Sequence, residues 1–352
     1  MRIAQIAPLS EAVPPRLYGG TERVVSWLTE ELVRFGHEVT LFASGDSRTT
    51  AELVACVPEG LRLSGIRDHT ASHLVMLSQV RARAAEFDIL HFHVDLLQHV
   101  MFADMTHKCV TTMHGRLDLP DFMPVFRTFR DMPLVSISEA QRRPMPAGTN
   151  WLATIPHGMP ASALPFSPKG GDGLVFLGRI APEKRPDRAI EIAIKAGVPL
   201  TIAAKVDPAD RTYFETEIEP LLDHPLISFV GEVDEDGKRE LLGRALALLF
   251  PIDWPEPFGM VVIEAMSCGT PVVAWNHGSV PELIEEGVNG LIVDSIESAA
   301  AALRSVDRID RAACRAIFER RFTAERMARD YVAIYKALRE AHRRELREAR
   351  SA

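Results

Sequence analysis

Short apolar runs alternate with longer segments of helical periodicity along this chain. In the N-terminal half, the runs that predict buried strands are 2–7, 38–43, 88–92, 109–113, 134–137 and 152–155. Amphipathic helices are predicted between them, notably over 21–35 and 71–86, and Gly36 stands at a position typical of a helix C-terminus. Strands that alternate with helices in this way favour a doubly wound parallel sheet of the α/β class.

The C-terminal half repeats the same alternation of strands and helices. Its predicted strands are 173–177, 200–204, 227–230, 247–250, 271–274 and 290–293. A last helix is predicted over 323–350 with Thr323 as its N-cap. The prolines and glycines of residues 156–172 suit a linker between the two halves.

These patterns predict three parts of the chain. Rossmann-like domains are expected over 1–160 and 161–322, facing a central cleft, and a helix over 323–352 is expected to pack back across them. A chain of 352 residues is long enough for two such cores. Because open α/β sheets bind ligands beyond the carboxyl ends of their strands, functional motifs are expected there.

Composition narrows the class of protein. A hydrophobic fraction of 47%, a charged fraction of 25% and a net charge of −8 are typical of a globular protein without the basic footprint of nucleic-acid binding. The four scattered cysteines show no metal-ligand spacing and suit reduced core positions in the cytosol. No apolar run approaches the roughly 20 residues of a membrane-spanning helix. We therefore expect a cytoplasmic protein with no nucleic-acid partner.

The segment 256–274 carries the most specific motif of the chain. Glu256 lies in a loop broken by proline and glycine, and Glu264 is placed about two turns into an apolar helix that starts near Gly259. A carboxylate inside an apolar helix needs a partner or a ligand. The helix N-terminus suits an anion or a polyhydroxyl ligand. The spacing of the two glutamates has little weight alone, because 48 acidic residues produce such pairs by chance.

Each of the two predicted domains has a further motif after its first strand. Arg179 and Lys184 are expected in one loop after a strand, where two cations suit a pyrophosphate and a solvated charged loop is the alternative. Gly19 and Gly20 stand at a helix start, where backbone N–H groups can approach a ligand closely and a plain tight turn is the alternative. Neither a dinucleotide fingerprint nor a P-loop is present.

The histidines and the acidic caps allow both structural and functional interpretations. His114 ends a predicted strand and is followed by glycine, although a buried structural histidine is the alternative. His91 and His93 are predicted to point to opposite faces of a strand, which excludes a metal pair. Ser138 and Asp234 are predicted to be helix N-caps, so the Asp-x-Asp at 234–236 is not expected to bind a metal.

Taken together, these motifs resemble those of retaining glycosyltransferases of family 4, which have the GT-B fold. The resemblance rests most heavily on 174–274, which contains the Gly-Arg-x-x-x-x-Lys element and the glutamate block. It implies transfer of a hexosyl group from a nucleotide-diphosphate sugar to a glycan, lipid-linked or small-molecule acceptor. It also implies retention of anomeric configuration, with neither a metal nor another cofactor.

The resemblance assigns roles to particular residues. Those with a catalytic role are His114, Arg179, Lys184 and Glu256. The donor is expected to contact Gly19, Gly20, Arg179, Lys184, Glu232, Val233, Glu256, Phe258, Gly259, Met260 and Glu264. The acceptor is expected to contact Arg16, Thr21 and Asp95. In this scheme the N-terminal domain is the acceptor side, and the C-terminal domain binds the donor.

Two positions depart from the family pattern, and several alternatives stay open. Arg185 stands where the family commonly has glycine, and His157 stands where it has asparagine. A GT-B sugar-nucleotide epimerase and a non-catalytic nucleotide-sugar-binding protein are the alternative functions, and a carboxylate pair alone also fits a glycosidase. The charged segment 336–350 is either a solvated helix or a weak contact with anionic lipid at the inner face of a membrane. The base, sugar, acceptor and oligomeric state are left open.

Overall fold

The computed structural model describes residues 1–16, 19–62 and 64–351, except for the side chain of Arg350. The chain forms two compact units. The first contains Met1–Pro160 together with Thr323–Ala352, and the second contains Ala161–Phe322. Each unit is built on its own parallel sheet with helices, as the alternating pattern predicts.

The first unit has a sheet of seven described strands, all paired in parallel, in the order β3-β2-β1-β4-β5-β6-β7. The strands are β1 (Arg2–Ile6), β2 (Glu38–Ser44), β3 (Glu52–Val57), β4 (Ile89–Phe92), β5 (Cys109–Thr112), β6 (Leu134–Ser136) and β7 (Trp151–Thr154). Its first helices are α1 (Gly20–Arg34), α2 (Thr70–Arg83), α3 (His99–Phe102), α4 (Met123–Thr128) and α5 (Glu139–Arg142). The pattern of the sequence missed β3, an edge strand whose residues are half-buried or exposed.

The second unit has a sheet of six described parallel strands in the order β10-β9-β8-β11-β12-β13. The strands are β8 (Leu174–Ile180), β9 (Leu200–Val206), β10 (Ile227–Gly231), β11 (Ala247–Phe250), β12 (Val272–Trp275) and β13 (Gly290–Val293). The helices are α6 (Pro186–Ala196), α7 (Arg211–Tyr213), α8 (Glu235–Arg244), α9 (Met260–Cys268), α10 (Val280–Leu283), α11 (Ile296–Ala302) and α12 (Arg311–Arg321).

The last helix, α13 (Ala324–Ser351), packs against α1 in the first unit. The Thr323 hydroxyl accepts a hydrogen bond from Arg326 N at 3.2 Å, which confirms the predicted N-cap. Tyr331 and Tyr335 are fully buried, so this face of the helix belongs to the core of the unit. Within the described ranges, no helix has the length and apolar character that crossing a membrane requires.

The two faces of the first sheet differ in polarity. On one face, Ala4, Ile6, Leu90 and Phe92 join an apolar cluster with residues of α2. On the other face, the strands carry the buried polar residues Gln5, His91, His93 and Thr112. Since alternate residues of a strand point to opposite faces, one polar residue at every second position builds this polar stripe. The cysteines are free thiols, of which Cys109, Cys268 and Cys314 are buried and Cys56 is half-buried.

Candidate functional site

The first predicted cation lies in a strand and not in a loop. β8 runs on to Ile180, so Arg179 pairs in register with Lys205 of β9, which corrects the expected loop. The Arg179 guanidinium donates to Glu183 at 2.6 Å and lies 3.7 and 3.8 Å from the carboxylates of Asp207 and Asp210. The guanidinium therefore lies at the carboxyl end of β8 among three carboxylates. An anionic ligand would have to replace these carboxylates as its partners.

The second predicted cation is joined to the first predicted glutamate. Lys184 ends a 3₁₀ turn, Pro182–Lys184, and its ammonium donates to the Glu256 carboxylate. The indole of Trp254 donates to the same carboxylate oxygen at 2.9 Å, and its ring centroid lies 4.7 Å from Lys184 Nζ. The exposed fractions of the two charged side chains are 19% and 12%. The fold thus brings together two residues that are 72 positions apart.

The loop that carries Glu256 is held by a second turn that follows β12. Gly278 has a φ of 56°, and a Cβ there would lie 2.3 Å from the backbone N and O of Glu256. Ser279 N donates to Glu256 O at 3.0 Å, and the Ser279 hydroxyl donates to Phe258 O at 2.6 Å. Sequence reasoning missed these two residues, although a Gly-Ser pair directly after a buried strand is a turn signal.

The helix α9 begins as the sequence predicts. Gly259 is its N-cap with a φ of 91°, a left-handed conformation that favours glycine, and no side chain caps the first turn. Glu264 is the fifth residue of the helix, so it lies about one turn from the start and not two. Glu264 is 6% exposed, and its carboxylate lies 3.2 Å from the ammonium of Lys238. The buried carboxylate has the partner that its apolar surroundings demand.

Lys238 belongs to α8, whose start agrees with the prediction. The Asp234 carboxylate accepts a hydrogen bond from Gly237 N at 2.9 Å, which confirms the N-cap. One turn later, Lys238 reaches both Glu264 and Glu235. A lysine in an ordinary amphipathic helix carries no local signal of such a partner. Glu232 and Val233 precede this helix, the first exposed and the second half-buried.

Arg185 explains why glycine is favoured at its position in the family. Its backbone has φ 53° and ψ 53°, a left-handed conformation at the N-cap of α6. A side chain there costs about 1 kcal/mol. The guanidinium donates to Asp187 at 2.7 Å and to Asp253 at 3.0 Å. These two ion pairs offset part of the backbone cost and tie the turn to the loop before Glu256.

In the first unit, the predicted histidine lies in a cluster of imidazoles. His114 follows β5, and its Nε2 lies 2.8 Å from Nδ1 of His93. The rings of His91 and His93 have centroids 4.1 Å apart, so the prediction of opposite faces was wrong. Residues i and i+2 of a strand share a face. His157 stacks on His114 with ring centroids 5.1 Å apart.

Burial keeps these imidazoles uncharged at neutral pH. It lowers the pKa of His114 to about 3. Burial also holds the pKa of His91, His93 and His157 well below the ordinary value of histidine, and repulsion among the rings adds to this effect. Each ring therefore carries one N–H donor and one acceptor nitrogen.

The start of α1 brings the paired glycines to the carboxyl end of β1. Gly19 is buried at the N-cap, where a Cβ would lie 2.7 Å from Pro15, and no side chain caps the first turn. Glu22, in that turn, is 5% exposed, and burial raises its pKa to about 7. Thr21 is half-buried. The uncapped N-terminus of α1 and the carboxyl group of Glu22 therefore lie at the place where the glycine motif predicts a ligand.

The two other predicted acceptor contacts are exposed. Arg16 has an exposed side chain whose guanidinium lies 3.4 Å from Asp46. Asp95 is exposed, with a φ of 55°. In the part of the chain that the structure describes, no group of three or more histidine, cysteine, aspartate or glutamate residues is arranged to hold a metal ion.

Comparison with known proteins connects both halves of the chain to the same activity. Residues 165–313 match the family described as "Glycosyl transferases group 1", and residues 18–151 match "Glycosyltransferase Family 4". The phosphatidyl-myo-inositol mannosyltransferase of Mycolicibacterium smegmatis is 26% identical over 332 residues, covering 86% of this chain and 84% of that protein.

Solved structures show the same fold. AviGT4, a glycosyltransferase involved in avilamycin A biosynthesis, matches with a TM-score of 0.74 at 23% identity and covers 97% of this chain and 98% of its own. HepE of Anabaena, in complex with UDP, matches with a TM-score of 0.73 at 17% identity and covers 96% and 100%. The chain is therefore a glycosyltransferase with the GT-B fold. The resemblance to family 4 is confirmed.

Proposed function

We propose that the protein transfers a hexosyl group from a nucleotide-diphosphate sugar to an acceptor, with retention of anomeric configuration. The observation that carries this proposal is the group of Arg179, Lys184 and Glu256 in the second unit. Arg179 pairs with Glu183, Lys184 pairs with Glu256 in the loop before α9, and α9 begins without a side-chain cap. Such a set of groups suits a diphosphate joined to a sugar.

Arg179 and Lys184 bind the diphosphate in this proposal. Both are paired with carboxylates, Glu183 and Glu256, so the phosphate oxygens replace existing ion pairs and do not meet bare charges. A guanidinium binds phosphate oxygens in bidentate fashion, and an ammonium binds them as a point charge. When the glycosidic bond breaks, negative charge develops on the β-phosphate. The two cations and the N-terminus of α9 stabilise that charge.

The two glutamates bind hydroxyl groups. Glu264 accepts hydrogen bonds from the ribose, and the Lys238 ammonium, 3.2 Å from its carboxylate, holds the side chain in place. Glu256 accepts hydrogen bonds from the hexose, with its backbone fixed by Ser279. The UDP present in the HepE structure supports a nucleotide donor for this class of fold.

The remaining groups of the proposal are those that the resemblance assigns to residues of the first unit. His114 is assigned to the transferred sugar by the resemblance, and its neutral ring suits a hydrogen bond better than proton transfer, because its pKa is about 3. Gly19 and Gly20 offer backbone N–H groups to the donor. Arg16, Thr21 and Asp95 are the candidates for acceptor contacts.

Retention in this proposal needs no covalent intermediate. The acceptor hydroxyl attacks the anomeric carbon from the face that the diphosphate leaves, and a leaving phosphate oxygen takes the hydroxyl proton. The C–O bond to the diphosphate breaks while the C–O bond to the acceptor forms. The reaction requires neither a metal nor an enzymic nucleophile, since the cations stabilise the leaving group directly.

The acceptor class and the location of the protein belong to the same proposal. A glycan, a lipid-linked or a small-molecule acceptor is proposed, and the name of the mycobacterial relative supports a lipid-linked one. The proposed location is the cytoplasm, with weak peripheral contact at the inner face of the membrane for a lipid-linked acceptor.

The proposal is tested by binding and by the stereochemistry of transfer. UDP-, GDP- and ADP-sugars are screened by thermal shift in the presence of EDTA, where a bound donor raises the Tm by mass action. With the donor that binds, the ¹H NMR coupling constant of the anomeric proton in the product reports its configuration.

A rise in Tm with one nucleotide series and a retained anomeric configuration are expected. Release of an epimer would favour the epimerase alternative. Binding without any turnover, in the presence of glycan, lipid-linked and small-molecule acceptors, would favour the binding protein. An inverted product would contradict the proposed mechanism.

A further inference from the structure

A chain of hydrogen bonds leads from the centre of the first sheet to His114. Gln5 of β1 is fully buried, and its Oε1 lies 2.8 Å from Nε2 of His93. Nδ1 of His93 lies 2.8 Å from Nε2 of His114. Among the described residues, Nδ1 of His114 is a buried atom without a hydrogen-bond partner, and the residue as a whole is half-buried beyond the end of β5.

The chemistry of these groups fixes the direction of the chain. The amide oxygen of Gln5 only accepts hydrogen bonds, so Nε2 of His93 carries its proton. Because the ring is neutral, Nδ1 of His93 is then an acceptor, and the proton between the two histidines belongs to Nε2 of His114. Nδ1 of His114 is consequently the acceptor atom of that ring.

The orientation of Gln5 is set by a second group of polar residues on the same face. Gln5 is the register partner of His91 in the pairing of β1 with β4. The amide nitrogen of Gln5 lies 3.4 Å from both the Tyr335 hydroxyl and Nδ1 of His91. The Tyr335 hydroxyl lies 2.7 Å from that same Nδ1, and Nε2 of His91 lies 2.7 Å from the Thr112 hydroxyl.

This second group is consistent with the amide orientation. If the Tyr335 hydroxyl donates to His91, its oxygen accepts from the Gln5 amide nitrogen, and His91 donates to Thr112. The amide oxygen of Gln5 is left facing His93, as the 2.8 Å distance requires. A residue of α13, 330 positions along the chain, thereby contributes to the state of His114.

We propose that Gln5 and His93 are positioning residues that hold His114 in its Nε2–H tautomer and present Nδ1 as the acceptor for a hydroxyl group of the bound sugar. This inference rests on the proposed function, in which His114 contacts the transferred hexose. The alternative tautomer would place an N–H donor at the same point. A shielded acceptor without a partner is unfavourable, and a donating hydroxyl removes that cost on binding.

The stacked ring of His157 adds to this control. Its plane lies at 20° to that of His114, with the centroids 5.1 Å apart. A half-turn of the His114 ring about its Cβ–Cγ bond would put a ring carbon in the place of each nitrogen and break the 2.8 Å contact with His93. The hydrogen bond and the stacking together oppose such a turn.

The first test reads the tautomer directly. Long-range ¹H–¹⁵N correlation spectra of histidine-labelled protein distinguish protonated from unprotonated ring nitrogens, with His114→Gln giving the assignment. In the ligand-free protein, we expect a protonated Nε2 and an unprotonated Nδ1 for His114. The same spectra of His93→Leu are expected to show a mixture of tautomers. An unchanged His114 tautomer in His93→Leu, or a protonated Nδ1 in the wild type, would overturn the inference.

A pair of substitutions separates positioning from simple loss of structure. In His93→Asn, the amide oxygen stands near the place of Nδ1 and keeps an acceptor for His114, whereas leucine of similar bulk to histidine keeps none. We expect kcat to fall about tenfold in His93→Leu with the donor KM within about twofold, and to be largely restored in His93→Asn. The measured reaction is release of UDP from UDP-glucose or of GDP from GDP-mannose.

The matched control is His99→Leu, which removes another buried histidine of the same unit. His99 packs against Phe126 and Phe129 and has no part in the chain from Gln5 to His114. Its variant is expected to keep the wild-type spectrum of His114 and the wild-type kcat. An equal loss of kcat in His93→Asn and His93→Leu would contradict the inference. The NMR spectra report the tautomer without substrate. The NMR test of the tautomer is therefore independent of whether the proposed transfer reaction is correct.

Discussion

The two units differ in how their polar side chains are paired. In the second unit, Arg179, Lys184 and Glu256 are charged, partly exposed and joined in ion pairs. In the first, the histidines around His114 are neutral and connected by hydrogen bonds across a sheet. Charges at the edge of a sheet keep enough hydration to exchange partners, whereas buried neutral groups hold one arrangement. The contrast shows that the polar groups of the second unit are paired by charge, and those of the first unit by directional hydrogen bonds.

The largest expected effect comes from removing a cation of the second unit. Lys184→Ala should weaken binding of the nucleotide-sugar donor about 100-fold, because a charge-assisted contact with phosphate is lost. Isothermal titration calorimetry measures the change. The control is Lys195→Ala, which breaks an exposed ion pair with Glu297 at the C-terminal end of α6 and should leave affinity unchanged. Wild-type affinity in Lys184→Ala would remove the basis of the comparison.

A buried carboxyl group in the first unit gives the next effect, on stability. Burial raises the pKa of Glu22 from 4.5 to about 7, so the folded protein binds more protons than the unfolded chain between these values. Stability should therefore be highest below pH 4.5 with respect to this group and should fall as pH rises through 7, by about 3 kcal/mol. Arg62 and Glu11 are the charged groups that act on it.

Glu22→Gln removes this pH dependence. Its Tm should fall less than that of the wild type between pH 5 and pH 8, by several degrees for a unit of this size. Differential scanning calorimetry at the two pH values measures the difference. Glu340→Gln, at an exposed position of α13, is the control and should behave as the wild type. The same Tm loss in Glu22→Gln as in the wild type would show that Glu22 is charged in the folded state.

A smaller effect is expected at the buried ion pair of the second unit. Glu264→Ala should raise the donor Kd about tenfold through loss of ribose contacts. Glu235→Ala is its control, because Glu235 is the other carboxylate next to Lys238 and lies outside α9. The two variants are compared by titration with the same donor. Equal losses of affinity would mean that Lys238, and not Glu264, determines ribose binding.

The smallest effect is expected at the left-handed residue before α6. Arg185→Gly relieves the backbone cost at φ 53° but breaks the pairs with Asp187 and Asp253, so the net change in stability should stay within about 1 kcal/mol. Arg185→Ala keeps the backbone cost without the pairs and should be the less stable of the two. Thermal melting of both variants tests this order. The reverse order would show that strain at this residue is negligible.

The local pattern of the sequence was enough to predict most strands and helices and many of the residues at which they begin. Alternating apolar runs located most strands of both sheets, and the N-caps at Ser138, Asp234 and Thr323 all accept the expected hydrogen bonds. Gly259 is the N-cap of α9, as its position at the predicted helix start indicates. These features depend on a few neighbouring residues, so a short window contains the information that specifies them.

Tertiary structure decided which of these residues meet. Lys238 of α8 forms an ion pair with Glu264 of α9. Gly278 and Ser279, in the turn after β12, contact the backbone of Glu256 and hold it in place. Tyr335 reaches Gln5 from the other end of the chain. Sequence determined the α/β class and the residue types available for chemistry. Their partners and protonation states depend on burial and long-range packing, which no local window of the sequence contains.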